Sequence, residues 1–220
     1  MKRIIDLSVN IQNGMMYYPG DPVPEISPAL TLEKDGCRVS NLKIGSHTGT
    51  HMDAPAHFMK DGKNIEEIEL EQCCGKALVI RLEDIEPCYK IMPADIEHCI
   101  SKLEKVSVVL FQTGWTQKYG TEEFYHHPYL SKEVAEVLVS NEIKVVGVDM
   151  LNVDQTCLEG ELYTQESTAA HQVLLGNGTV IVENLTNLNK ITFEEPYVVF
   201  FPLKITGADG SPVRAVAIEE

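Results

Sequence analysis

Five short runs of apolar and β-branched residues limit the fold most strongly: Ala77–Leu82, Val106–Gln112, Lys144–Asp149, Thr179–Val182 and Tyr197–Pro202. Runs that are apolar throughout, rather than alternating with polar residues, suit strands covered on both faces. Helical patterns lie among them. Pro93–Leu103 opens on a proline and carries Ile96, Ile100 and Leu103 at helical spacing, Ser131–Val139 begins on a Ser cap, and Glu166–Leu175 stops at Gly176-Asn177-Gly178. Upstream, Arg3–Val9, Glu25–Thr31 and Arg38–Ile44 read as further strands, separated by turns such as Tyr18-Pro19-Gly20-Asp21-Pro22. Strands first and strand–helix alternation afterwards predict an α/β or α+β domain built on a mixed sheet. The 220 residues contain no linker, repeat or low-complexity tract, so residues 1–220 read as a single domain.

Charge narrows the range of partners. Eighteen basic residues against 33 acidic ones give a net charge of −15, which disfavours nucleic acid and anionic membrane surfaces. The N-terminal stretch meets Asp6 before any apolar run forms, and no segment approaches the ~18 apolar residues of a spanning helix. Six cysteines, at 37, 73, 74, 88, 99 and 157, show no C-x-x-C spacing and read as free thiols in a reducing compartment. The expectation is a soluble, acidic, cytoplasmic protein.

The segment with the clearest chemistry is Gly45-Ser46-His47-Thr48-Gly49-Thr50-His51-Met52-Asp53-Ala54-Pro55-Ala56-His57-Phe58. Three of the chain's seven histidines fall between positions 47 and 57. Gly49, Pro55 and the β-branched Thr48 and Thr50 argue against one continuous helix. An extended strand would place His47, Gly49, His51 and Asp53 on one face. Two imidazoles and a carboxylate suit Zn²⁺ or Mn²⁺, and three protein ligands leave positions open for water. His57, beyond the turn at Pro55, is read as a titratable base beside the metal site. The plain alternative is a set of solvated loop histidines.

A second constellation pairs His171, in the last helical pattern, with Glu183 at the end of an apolar strand. A buried carboxylate there would need a partner or a cation, but the pattern equally allows a helix-surface histidine and a solvated glutamate. His126-His127-Pro128 reads as loop and His98 as helix surface. Asp149 and Asp154, around the end of a buried strand, read as ligand-site or turn residues. The acidic run Glu66–Glu71 reads as a solvated face. Neither a phosphate-binding glycine loop nor a G-x-S-x-G elbow is present.

The run from His47 to His57 resembles the H-x-G-T-H-x-D-x-P-x-H signature of the cyclase-like metal-dependent hydrolases, a family that includes bacterial kynurenine formamidases and isatin hydrolases. Other segments resemble the family in the same order: Tyr18-Pro19-Gly20-Asp21, Gly147-Val148-Asp149 with Val153-Asp154, and His171 through Glu183-Asn184-Leu185. The resemblance implies a swivelling β/β/α domain that forms homodimers or homotetramers. It implies His47, His51 and Asp53 as ligands of one metal, with Asp53 bridging to a second held by His171 and Glu183. It further implies His57 as the acid/base and Tyr18 as a substrate contact, where the formamidases usually have Trp. Asn152 stands where they tend to have Ser.

The activity implied is hydrolysis of a small-molecule amide, N-formylkynurenine or a related aryl formamide, by water activated at one or two zinc ions, with manganese as the alternative metal. A cyclic-amide hydrolase of the isatin type is a second reading. A non-catalytic metal- or small-molecule-binding protein on the same fold is a third.

Overall fold

In the computed structural model, which describes residues 3–158 and 164–219, the apolar runs become the centre of a large mixed sheet. The strands are β1 (Ile4–Asp6), β2 (Glu25–Leu30), β3 (Val39–Lys43), β4 (His51–Asp53), β5 (Cys74–Arg81), β6 (Lys90–Ile91), β7 (Val108–Gln112), β8 (Tyr129–Leu130), β9 (Val145–Val148), β10 (Val180–Glu183), β11 (Tyr197–Val199), β12 (Gly210–Pro212) and β13 (Val216–Ile218). The helices are α1 (Leu32–Asp35), α2 (Pro93–Ile96), α3 (Ile100–Leu103), α4 (Lys132–Ser140) and α5 (Ala169–Gly176). Nine strands join in the order β1-β13-β11-β5-β7-β9-β10-β4-β12. The β5–β7–β9–β10 pairs are parallel and the flanking pairs antiparallel.

The central strands are apolar throughout because both faces of the sheet are buried. Val109, Phe111, Val146, Val148 and Ile181 pack beneath Val134, Ala135 and Leu138 of α4 and Ala170, Leu174 and Leu175 of α5. The alternate residues Val108, Leu110, Val145, Val180 and Val182 face Ile5, Met52, Val198 and Ala217 from the flanking strands. Each strand therefore contributes to two cores with successive side chains.

Two helical expectations change in detail. Pro93–Leu103 is not one helix: a 3₁₀ turn, Glu97–Cys99, separates α2 from α3. This tighter turn puts Cys99 rather than Ile100 on the buried side with Ile96 and Leu103. The last helix starts at Ala169 rather than Glu166, because Thr164, Ser167 and Thr168 hydrogen-bond among themselves in a turn ahead of it. Ser131 caps α4 as expected, its hydroxyl accepting the Val134 N–H. The strands β2 and β3 form a separate antiparallel pair carrying the exposed side chains of Leu30, Val39 and Leu42. All six cysteines are free thiols. Among the described residues, no helix is long and apolar enough to cross a membrane.

Candidate metal and acid/base site

The strand β4 lies between β10 and β12, so its side chains meet functional groups from distant parts of the chain. Its register sets Glu183 opposite His51 and Gly210 opposite Asp53. His51 and Asp53, two residues apart, share a face as alternation requires. His47 does not reach that face in the way the spacing suggested. Only His51–Asp53 is strand, and residues 46–50 form a turn with Gly49 at φ +68°. Thr48 and Thr50 hold that turn: the Thr48 hydroxyl accepts the Gly45 N–H, while the Thr50 hydroxyl donates to Asn184 O and accepts the Val9 N–H. These bonds outweigh the β preference of the threonines. The turn carries the His47 ring back over Gly210, where an added Cβ would lie 2.8 Å from His47 Cε1. Only glycine leaves that room.

The inner part of the site comprises His51, Asp53, His171 and Glu183, whose side chains are 1–6% exposed. His51 Nε2 stands 3.3 Å from Asp53 Oδ1 and 3.4 Å from Glu183 Oε2. His171 Nε2 stands 3.5 Å from Asp53 Oδ2 and 3.6 Å from Glu183 Oε1. Ligands at ~2.0–2.1 Å from a tetrahedral ion are separated by ~3.3–3.4 Å, and His51, Asp53 and Glu183 form a group with metal-ligand spacing, while each carboxylate turns its other oxygen toward His171. Asp53 Oδ2 is buried with no hydrogen-bond partner, which is costly unless a cation occupies the space it faces.

Both imidazoles are held from behind. His51 Nδ1 donates to Gly49 O at 2.8 Å and His171 Nδ1 to Asp154 Oδ2 at 2.8 Å, leaving each Nε2 directed at the carboxylates. Asp154 also accepts the N–H groups of Ala170 and His171, so one carboxylate both caps α5 and orients its histidine. Glu183 Oε1 accepts the Val153 N–H, and Phe58 stacks on the His171 ring at a centroid distance of 4.6 Å. The residues present therefore fit a divalent metal.

The outer part comprises His47, His57 and Asp209. His47 Nδ1 contacts Asp53 Oδ1 at 2.7 Å, and its Nε2 contacts Asp209 Oδ2 at 3.0 Å. The same Asp209 oxygen accepts from His57 Nδ1 at 3.2 Å. His47, Asp53 and His57 form a second group with metal-ligand spacing, sharing Asp53 with the group of His51, Asp53 and Glu183. The geometry thus pairs His47 with His57 and His51 with Glu183.

Charges follow this arrangement. Burial alone would lower the pKa of each imidazole. The charge and hydrogen bonds of Asp53 and Glu183 reverse this for His51 and raise it well above the histidine range. Asp154, which accepts from the His171 ring, and the nearby Asp53 carboxylate raise His171 to about 10, and Asp53 and Asp209 raise His47 to about 9. Burial pushes Asp53 up, but the neighbouring His47 and His51 charges hold it well below the carboxylate range. Hydrogen bonds from His47 and His57 likewise hold Asp209 far down. A metal entering here competes with protons for the same nitrogens.

The site opens on a cavity of about 480 Å³ lined by His47, His51, His57, His171 and Glu183, with Tyr18 and Phe58 among its aromatic walls. Tyr18 is fixed by accepting the Cys157 N–H on its hydroxyl at 2.8 Å. Asn152 lines the cavity and caps its own turn by accepting the Asp154 N–H. The other histidines lie apart: His126 and His98 are exposed, and His127 is buried between Pro128 O and the Thr156 hydroxyl. Asp149 binds the Thr113 hydroxyl and the Thr113 and Gly114 N–H groups, a purely structural use. Asp209, in Gly207-Ala208-Asp209-Gly210, was not expected, because locally that sequence resembles any polar turn. Asp21, half-buried on the cavity wall with its pKa raised by burial, was also missed.

Comparison with known proteins places the chain in a family. The Cyclase family model matches residues 5–155. A curated kynurenine formamidase from Bacillus cereus is 33% identical over 214 residues, covering 96% of this chain and 95% of that protein. Among solved structures, isatin hydrolase A from Labrenzia aggregata, bound to benzyl benzoate, superposes with a TM-score of 0.86 at 24% identity, covering 99% of this chain and 93% of that one. A chain described as a potential metal-dependent hydrolase with cyclase activity superposes with a TM-score of 0.79 at 25% identity, covering 100% and 99%. A family model spanning residues 5–155 and a full-length relative at 33% identity place this chain in the Cyclase family.

Proposed function

We propose that this protein is a metal-dependent amide hydrolase acting on aryl formamides, N-formylkynurenine among them. The observation that carries the reading is the convergence of His51, Asp53, His171 and Glu183 around the unpartnered Asp53 Oδ2, beside His57 at an aromatic cavity. The similarity to curated kynurenine formamidases supports the substrate class. His47, His51 and Asp53 would hold one ion, and Asp53 would be shared with a second held by His171 and Glu183. Zinc is the metal that best suits two imidazoles with carboxylates, and manganese is the alternative. A divalent metal bound here supplies Lewis acidity and lowers the pKa of water to near neutrality.

The chain's own residues do the rest. Tyr18, Phe58 and Leu151 line the space for an aryl ring and exclude water from one side of it. His57 serves as base while water adds to the formyl carbon. It then returns the proton to the aryl nitrogen as the C–N bond breaks, so that an amine rather than an amide anion leaves with formate. Asp53 and Glu183 face the Nε2 atoms of His51 and His171. The chain works as one domain, in the cytoplasm, as a homodimer or homotetramer, and sedimentation tests the last point.

The test is turnover of formanilide and N-formylkynurenine by metal-loaded protein, with formate and metal both measured. Formate release by wild type and loss of both metal and turnover in His51→Ala support the reading. Ring opening of isatin without activity on formamides would move the substrate class to cyclic amides. Bound metal without turnover of any of these substrates would leave a binding protein.

A further inference from the structure

Asp209 belongs to no motif that the sequence displays, yet among the described residues its carboxylate is the only group that joins the rings of His47 and His57 within the outer part of the site. The Ser46 hydroxyl donates to Oδ1 at 2.8 Å, which leaves Oδ2 to the two imidazoles at 3.0 and 3.2 Å. Carboxylate oxygens accept, so each ring nitrogen facing Oδ2 carries hydrogen. For His57 that nitrogen is Nδ1, and its Nε2 is left with the lone pair a base needs. We propose that Asp209 is a positioning residue for His57: it fixes the Nδ1–H tautomer and the ring orientation, so that Nε2 meets the proton of the attacking water. This rests on the hydrolase reading above.

The side chain of Asp209 is 42% exposed, but its backbone is firmly held. Asp209 O accepts the Ala54 N–H at 2.9 Å, and Ala208 O accepts the Ile65 N–H at 2.8 Å. The Gly207 N–H donates to Glu66 Oε1 at 2.7 Å. Gly210 then enters β12 opposite Asp53. The 3₁₀ turn Pro55–His57 hangs from the same Ala54, whose carbonyl accepts the His57 N–H at 2.9 Å. Carboxylate and imidazole are therefore fixed to adjacent backbone on neighbouring strands. The His47 and His57 rings lie 4.0 Å apart, tilted by 34°, so His57 cannot turn toward His47 without a clash. Asp209 is absent from the residues lining the cavity, so it acts on substrate only through His57.

Removing the carboxylate that orients an imidazole base costs up to ~10⁴-fold in rate where the pair is buried. With Asp209 partly in solvent, ~10- to 100-fold is expected here. The test compares metal-loaded wild type, Asp209→Asn and Asp209→Glu on formanilide, and repeats Asp209→Asn on a His57→Ala background. The ¹⁵N shifts of His57 are recorded on metal-free protein as a readout independent of turnover. The expected result is that Asp209→Asn lowers kcat with KM within about twofold and metal content unchanged. Asp209→Glu should recover part of the rate, Asp209→Asn should cost nothing further without His57, and the Nδ1–H signature should be lost with the carboxylate. An unchanged kcat, an equal loss on the His57→Ala background, loss of metal along with rate, or unaltered His57 shifts would each overturn the proposal. If wild type hydrolyses no amide, the hydrolase reading fails, and the His57 shifts still decide whether Asp209 sets the tautomer.

Discussion

The inner and outer parts of the site use the same residue types under opposite conditions. Inside, His51, His171, Asp53 and Glu183 are almost fully buried, their imidazoles are braced by Gly49 O and Asp154, and Asp53 Oδ2 has no partner. Outside, the side chains of His57 and Asp209 are 28% and 42% exposed, and Asp209 Oδ2 already accepts from both His47 and His57. A dry, braced cluster with an unsatisfied oxygen suits a cation that stays. A wetter, self-satisfied pair suits protons that move. Asp53 is common to both, since Oδ1 meets His47 and Oδ2 faces the inner space.

The comparison can be broken first at its shared residue. Asp53→Ala should lose bound metal and cut turnover by at least ~1000-fold, the several kcal/mol a Lewis acid contributes. Retention of both in elemental analysis and a formanilide assay would refute the inner site. At the outer part, His57→Ala should lower kcat by ~100- to 10,000-fold while metal content stays stoichiometric. Metal loss in that variant would make His57 a ligand.

Behind the inner cluster, Asp154→Asn should weaken metal affinity by ~10- to 100-fold, measured by competition with a chelator. A full-strength site in that variant would show that Asp154 only caps α5.

The smallest effect concerns pH. In metal-free protein, His47 at about 9 and His171 at about 10 lie above the histidine value in an unfolded chain, ~6.5. Their protonated forms stabilise the fold fully below that value, and the contribution is lost as pH rises through 9 to 10. Metal requires the neutral imidazoles, so its affinity should fall as pH falls. Thermal unfolding of chelated and loaded protein across this range should therefore show opposite trends, and parallel curves would remove the distinction.

Several elements were legible because their determinants are local. The central strands follow from unbroken β-branched runs, and the N-terminus of α4 follows from Ser131. His51 and Asp53 share a face through simple alternation. The placement of His47 was not legible, because hydrogen bonds from Thr48 and Thr50 to Gly45, Val9 and Asn184 bend the chain where propensity favours a strand. The split of Pro93–Leu103 escaped for a similar reason, since core packing chose Cys99 over Ile100. Asp209 carried no signal, because its role depends on residues 46, 47 and 57, more than 150 positions away.

The sequence alone carries the clustering of candidate metal-ligating side chains between positions 47 and 57 and a sheet apolar on both faces. Each of these depends on residues a few positions apart. Tertiary structure decided which nitrogen of each histidine faces the site, that Glu183 stands opposite His51, and that Asp209 connects two rings. Those outcomes depend on strand register and on hydrogen bonds closed across the sheet, which no local pattern encodes.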